Sequence, residues 1–323
     1  MLKMILRRTF AAVAVLWAVS IVIFVACEIL PGDVAEVRFG QFGTQQSIDL
    51  LREELGLNRP AVSRYLSWIG GLVSGNWGMS FATGAPVADL MSERLANTAR
   101  LGIAAALISV PLALGMGILM ALWAGSLFDR ISSVVLLGFA ATPEFLVAAL
   151  AMLFFAVHLG WFPAVSYVDY TYSAQRLIAA LVMPVGVLML HISAQIARMT
   201  RVTIVNVLQQ PYIEMALLKG ATPLRRMFLH ALPNIIGPVV NVVAINVAYL
   251  VSGVVIVETV FAYPGIARLM IDAVSARDMP VIQACAMIFS SVYVVLILAA
   301  DLIALVSNPR LRHARPSGAN DVR

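Results

Sequence analysis

Long apolar runs separated by short charged patches dominate the chain. Six of them, at about 9–30, 101–124, 131–157, 177–197, 234–257 and 280–306, reach the roughly 20 residues a helix needs to cross a bilayer. Hydrocarbon offers no partner to backbone N–H and C=O groups, so such runs predict helices that satisfy their own backbone. The second and fifth runs carry no charge. The others carry few: Glu28 ends the first, Glu144 sits in the third, His191 in the fourth and Asp301 in the sixth. The expected fold class is an all-α membrane protein with six transmembrane helices.

The polar remainder has its own periodicity. Between the first two spans lies a long segment, 31–100. In it, 46–55 places Ile48, Leu51 and Leu55 at helical spacing and ends at Gly56, which predicts a short helix. Residues 61–73 carry Tyr65, Leu66, Trp68 and Ile69, a surface suited to a membrane interface. Pro86 opens a further helix that feeds the second span. The remaining organisation divides into the N-terminal tail with the first span (1–30), a core of five spans (101–312) and a polar tail (313–323).

Composition agrees with this reading. The chain is 61% hydrophobic and 12% charged, against about a quarter charged for a soluble domain. Its net charge of +5 does not signal nucleic acid, because the basic residues flank apolar runs rather than forming one stripe. Lys3, Arg7 and Arg8, then Arg198, Arg201, Lys219, Arg225 and Arg226, then Arg310, Arg312, Arg315 and Arg323 all fall on one side of a six-span topology. The positive-inside tendency makes that side cytoplasmic, with both termini there. Cys27 and Cys285 lie in apolar runs and read as small core hydrophobes. Phe24-Val25-Ala26-Cys27 faintly resembles a lipoprotein cleavage box, but the preceding run is too long for a signal core, so the first span is expected to stay.

One charged island, 198–233, separates the fourth and fifth spans. Pro211 suits the first turn of a helix and Gly220 the position just past its end. Ile213, Ala216 and Leu217 would share one face, and Glu214 would meet the favourable end of the helix dipole. Thr222-Pro223 restarts a helix, with Arg225-Arg226 following. By pattern alone this is either a docking helix or an ordinary amphipathic loop helix.

The order of residues here resembles the coupling loop of ABC-importer permeases. Tyr212-Ile213-Glu214-Met215-Ala216-Leu217-Leu218-Lys219-Gly220, Arg225-Arg226 and His230-Ala231-Leu232-Pro233-Asn234 look like the dipeptide, oligopeptide and nickel branch. The likeness extends along nearly the whole chain. It includes Leu30-Pro31-Gly32-Asp33, Glu54-Leu55-Gly56-Leu57, Gly75-Asn76-Trp77-Gly78-Met79-Ser80 and Leu159-Gly160-Trp161-Phe162-Pro163-Ala164. It also includes Val257-Glu258-Thr259-Val260-Phe261-Ala262-Tyr263-Pro264-Gly265, Ala276-Arg277-Asp278-Met279-Pro280 and Asn308-Pro309-Arg310-Leu311-Arg312. The resemblance implies the type I ABC-importer permease fold and the first of two permease subunits in a bacterial inner membrane. It implies as partners a second homologous permease, two cytoplasmic ATPases and a periplasmic or lipid-anchored substrate-binding protein. Tyr212, Glu214, Ala216, Gly220 and Arg225 would couple to the ATPase. The outer loop 258–280, with Glu258, Tyr263, Pro264, Gly265, Arg277 and Asp278, would form a gate or a re-entrant brace. The cargo implied is a peptide, or nickel, glutathione or another small solute. Two positions depart from the pattern: His230 stands where the general coupling motif prefers Ile, and Glu144 where the branch usually has an uncharged residue.

Glu144 is the central charge. A charged side chain at that depth costs about 2.5–3.5 kcal/mol on insertion scales, so it should face a polar passage or a partner. Pro143 before it can kink the helix. Both a passage-lining acid and a structural carboxylate fit. His191 has no second ligand three or four residues away, so no metal is expected, and no cofactor either. Asp301 is expected to reach the interface or pair with a base. Gly102, Gly115 and Gly117 offer a small-residue face for close packing. No phosphate-cradling Gly-x-x-x-x-Gly-Lys loop, His-Glu-x-x-His or Gly-x-Ser-x-Gly occurs, which disfavours an ATPase or hydrolase. A self-sufficient secondary transporter would need coupling acids in several spans and inverted halves. An intramembrane protease would need Asp272 and Asp301 together, yet the topology puts them on opposite sides.

Overall fold

The computed structural model describes residues 2–30, 32–39, 44–167, 173–220 and 222–307. The basic C-terminal patch, the Asn308–Arg312 motif, Pro31 and the tail 313–323 lie outside them. Among the described residues every regular element is helical. In chain order they are α1 (Leu2–Ile29), α2 (Val34–Phe39), α3 (Gln45–Glu54), α4 (Ala61–Ser74) and α5 (Val87–Leu122). Then come α6 (Leu127–Ala141), α7 (Glu144–Ala151), α8 (Ala174–Leu208), α9 (Pro211–Leu218) and α10 (Pro223–Arg225). The chain ends in α11 (Leu232–Val260), α12 (Ile266–Ser275) and α13 (Met279–Ser307).

Five helices, α1, α5, α8, α11 and α13, are long and apolar enough to cross a membrane. The third predicted span is broken at Pro143, where the sequence predicts a kink, into two limbs, α6 and α7, bent by 102°. Thr142 just before Pro143 is extended, as a residue preceding proline prefers, so α6 stops at Ala141. The second limb runs on as a π-helical stretch, Met152–His158. Counting the bent pair as one span restores six.

The predicted short outer helices form where expected, with sharper ends. Thr44 caps α3 by accepting the Ser47 amide at 3.3 Å. The two long helices overrun their predicted spans: α5 has 36 residues, about 54 Å, well beyond the hydrocarbon core.

Packing assigns each helix its place. The most extensive contact is α5 against α8. Gly117 makes it possible, because a Cβ there would lie 2.7 Å from the Ala197 carbonyl oxygen. Gly102 does the same more loosely against Leu250, whereas nothing lies near Gly115. One core joins α5, α7, α8 and α11 through Leu101, Ala148, Leu188, Ile196 and Val254. A second, holding Cys27, Val87, Met91, Ile266 and Cys285, ties α1, α5, α12 and α13 at one end. A third, holding Ala121, Ile204, Ile213, Met227 and Ile235, closes the opposite end. Arg8 and Asp301 pair at 2.5 Å, as expected for an acid near a helix end, and join α1 to α13. Helix α4 lies on α1: Tyr65 and Trp68 pack on Phe24, and Arg64 pairs with Glu28. Part of the predicted interfacial surface is thereby used internally, while Leu66 stays exposed with Val62 and Val73.

Candidate functional site

Three places concentrate polar or unpartnered groups. The first is α9. Extended Gln210 leads into Pro211 at the first turn, and the helix ends before Gly220. Gly220 has φ of +79°, a left-handed conformation that a β-branched residue resists. Of the three residues predicted to share a face, only Ile213 is buried; Ala216 is half-buried and Leu217 exposed. Ile213 therefore anchors the helix to the core below, while Tyr212, Met215, Leu217 and Leu218 stand exposed beside Glu214. Leu218 is 75% exposed. Contiguous exposed apolar side chains on a loop helix are open to contact with a partner or with the membrane surface. Beyond it the Arg225 amide donates to Thr222 Oγ1 at 3.3 Å, the cap expected from Thr222-Pro223, and the Arg225 side chain is exposed.

Between α6 and α8 stands a pair that the sequence did not reveal. Asp129 at the start of α6 is buried. It accepts from Arg201 Nε at 2.5 Å and Nη2 at 2.6 Å, and from the Gly125 amide at 2.8 Å. Arg201 had counted only as one more basic residue of the loop side. No local signal links positions 72 residues apart.

The second place is a cavity of about 520 Å³ between α7, α8 and α11. Glu144, His191, Gln195, Asn246, Tyr249 and Ser252 supply its polar groups. The Glu144 carboxylate comes so close to Gly253 that a Cβ there would sit 2.6 Å from Oε1. His191 Nδ1 is buried without a hydrogen-bond partner among the described residues. The sequence singled out Glu144 and His191 separately and did not foresee that they share a cavity. It missed Gln195, Asn246, Tyr249 and Ser252, since polar residues scattered in apolar helices show no pattern until the helices are packed.

The third place is the loop after α11. Here most of the predicted gate residues face inward. Glu258 is fully buried; it accepts from Thr98 Oγ1 at 2.5 Å and from the Ala267 amide at 2.8 Å. Gly265 leaves the room for that carboxylate, because any Cβ there would collide with it. Buried Tyr263 donates its hydroxyl to the Asn97 carbonyl at 3.0 Å, and Asn97 Nδ2 donates to the Pro264 carbonyl at 3.0 Å. Asp278, also buried, accepts from Ser80 Oγ at 2.5 Å and from the Phe81 amide at 3.0 Å. Pro264 and Arg277 are half-buried, and Arg277 takes a φ of +55°. Helix α12 is thus braced against α5 and the turn at Ser80, with Asp272 and Ser275 on its exposed face.

Comparison with known proteins fixes the family. Residues 113–313 match the family described as binding-protein-dependent transport system inner membrane component. Residues 1–102 match its N-terminal companion. The chain belongs to this family. It is 36% identical to a probable peptide ABC transporter permease protein of Sinorhizobium fredii, over 96% of this chain and 99% of the relative. It is 32% identical to the glutathione transport system permease protein of Escherichia coli K12, over 97% of this chain and all of the relative. The all-helical bundle is the type I ABC-importer permease fold, and the chain is a multi-pass transport subunit of the bacterial inner membrane.

Proposed function

We propose that this permease forms, with a second homologous permease, the passage of an ATP-driven peptide importer. Two cytoplasmic ATPases would hold the paired coupling helices, and a periplasmic or lipid-anchored binding protein would deliver the cargo. The observation that carries the coupling role is α9, a helix anchored by buried Ile213 with Tyr212, Met215, Leu217 and Leu218 exposed around Glu214. Such a helix-in-groove contact needs apolar anchors at helical spacing, which this helix offers. The side bearing α9, Lys3, Arg7 and Arg8 would be cytoplasmic by its excess of basic residues. Closure of the ATPases would favour one of two arrangements of the helices, and the stroke can be no larger than their difference in affinity for the two.

Two relatives suggest the cargo class: one named for peptides and one for glutathione, itself a small peptide. The exposed face of α12, with Asp272 and Ser275, would meet the binding protein, while Glu258, Tyr263 and Asp278 hold that face in place.

The test replaces Ala216 with Leu and Gly220 with Val in the complex assembled with its ATPases. Both variants should insert normally and lose ATPase association or peptide-driven ATP turnover. Unchanged association and uptake in both would overturn the coupling role. A cysteine at Ser275 should cross-link to the docked binding protein; no product at any stage of the cycle would remove the docking role of α12.

A further inference from the structure

We propose that the cavity holding Glu144 is a transit site for the protonated amino group of the cargo, half of it built by this chain. The inference rests on the peptide reading above and adds where, within the passage, the peptide is held.

The argument starts from the position of the carboxylate. Glu144 opens α7 directly after the break at Thr142-Pro143. The first turn of a helix carries unbonded N–H groups and a positive dipole end, so an anion is tolerated there better than in mid-helix. The bend thus explains how a carboxylate can exist at this depth. It does not explain what the carboxylate serves. No ion pair or hydrogen bond joins the Glu144 side chain to another described residue. Its contrast is Glu258, which is fully buried and whose oxygens are both engaged within the chain, whereas Glu144 is half-buried. A buried acid with a full set of donors is a brace; one that faces an open cavity without them is available to a ligand.

The cavity has the chemistry of a backbone-reading site. Gln195 Oε1 accepts from Arg198 and Asn246 Nδ2 donates to the Val242 carbonyl, which leaves the Gln195 amide nitrogen and the Asn246 carbonyl oxygen for a ligand; Tyr249 and Ser252 offer hydroxyls, and His191 Nδ1 has no partner among the described residues. Leu188, Ile192, Leu250 and Ile256 provide apolar walls. About 520 Å³ suits a small peptide rather than a bare ion. A single carboxylate among neutral groups selects one positive charge, and a short peptide carries one at its amino end whatever its sequence. Tyr249 is 58% exposed, so the cavity has an open side. That side is where a second permease would complete the site.

The test uses the assembled importer in proteoliposomes with a dipeptide bearing a free amine and its N-acetylated counterpart, each corrected for binding-protein affinity. Glu144→Gln should slow transfer of the free-amine peptide about tenfold, as expected for loss of one charge-assisted contact, and leave the acetylated peptide within about twofold. Glu144→Asp should restore part of the difference. Equal effects on both peptides overturn the site. Loss of assembly in Glu144→Gln also overturns it, because the carboxylate would then serve the seam between subunits. An importer that moves neither peptide in its natural form overturns the peptide reading itself, and this site with it. A second measurement does not depend on turnover. A cysteine at Ser252 should react faster with a cationic methanethiosulfonate than with an anionic one, and Glu144→Gln should abolish that preference. No preference in the protein with Glu144 intact would refute the proposal.

Discussion

Replacing Asp129 with Asn should weaken the bundle at the end that carries α9. The magnitude follows from how the pair is buried. Fully exposed ion pairs contribute about 0–1 kcal/mol, whereas breaking a fully buried pair costs about 3–5 kcal/mol. Here the Asp129 side chain is 2% exposed and that of Arg201 26%. The acid is inside and the base reaches water, so the cost lies between the limits, at about 2 kcal/mol, or roughly thirtyfold in the unfolding equilibrium. Asn keeps the shape and can still accept from the Gly125 amide, so the loss is that of charge and of the second guanidinium contact.

The suitable assay is a double-mutant cycle. Asp129→Asn, Arg201→Gln and the pair together would be unfolded by denaturing detergent while tryptophan fluorescence is followed. The interaction energy should be about 1–2 kcal/mol, smaller than the single cost because each single variant also strands a partner. Hydrogen exchange should rise first in α9 and in the last turns of α8, since Arg201 lies between the cavity wall and α9 on the same helix. An interaction energy below about 0.5 kcal/mol would refute the reasoning, as would loosening confined to the opposite end of the bundle.

Other outcomes follow from the same packing. Gly117→Ala should lower the unfolding midpoint by an overpacking cost of about 1–3 kcal/mol, because its Cβ would meet the backbone of α8, while Gly115→Ala, facing open space, should be neutral or mildly stabilising. Glu258→Ala should free α12, stranding the Ala267 amide and the Thr98 hydroxyl, and increase proteolysis between α11 and α13; unchanged protection would contradict the brace. Asp33 is opposed by burial, but the Glu36 amide and the Arg52 guanidinium outweigh it and hold the carboxyl below its usual 3.8. Its contribution to holding α2 on α3 is therefore present above that value and lost as pH falls through the lowered one. Asp33→Asn should loosen α3 at neutral pH, and the variant and natural proteins should converge in strongly acidic solution.

What the sequence disclosed and what it hid divide along a physical line. Local, periodic information was legible. Hydrophobic runs placed the long helices, Pro211 and Gly220 bounded α9, and Pro86 opened α5, because each depends on a few neighbouring residues. Pro143 marked a kink in the third span but not its size. Hydropathy averages over a window and does not register one residue pushed to an extended conformation, so a bend of 102° left the pattern intact. Pairings across long separations were hidden altogether. Arg201 with Asp129, and Asp278 with the turn at Ser80, depend on which helices lie side by side, and no periodicity encodes that. The outer-loop residues show a further limit. Resemblance marked Glu258, Tyr263 and Asp278 as positions that matter, but only their burial distinguishes residues that hold the loop from residues that present it.

Helix α8 connects the parts that the sequence left separate. His191 and Gln195 on it line the cavity, Arg201 on it grips α6, and Ile204 near its end packs with Ile213 of α9. From Gln195 to Ile204 is nine residues, about 14 Å along the axis. Gly117 lets α5 lie close against the same stretch, beside the Ala197 carbonyl and Thr200. The chain breaks between α8 and α9 at Gln209 and extended Gln210, so a force applied at α9 would reach the wall of the cavity through the packing of Ile213 on Ile204. A second break lies between α6 and α7, where Glu144 at the start of α7 lines the cavity opposite residues of α8 and α11. Were the break at Thr142-Pro143 to flex while α8 moved as a unit, a short stroke would change the width of the cavity rather than merely displace it.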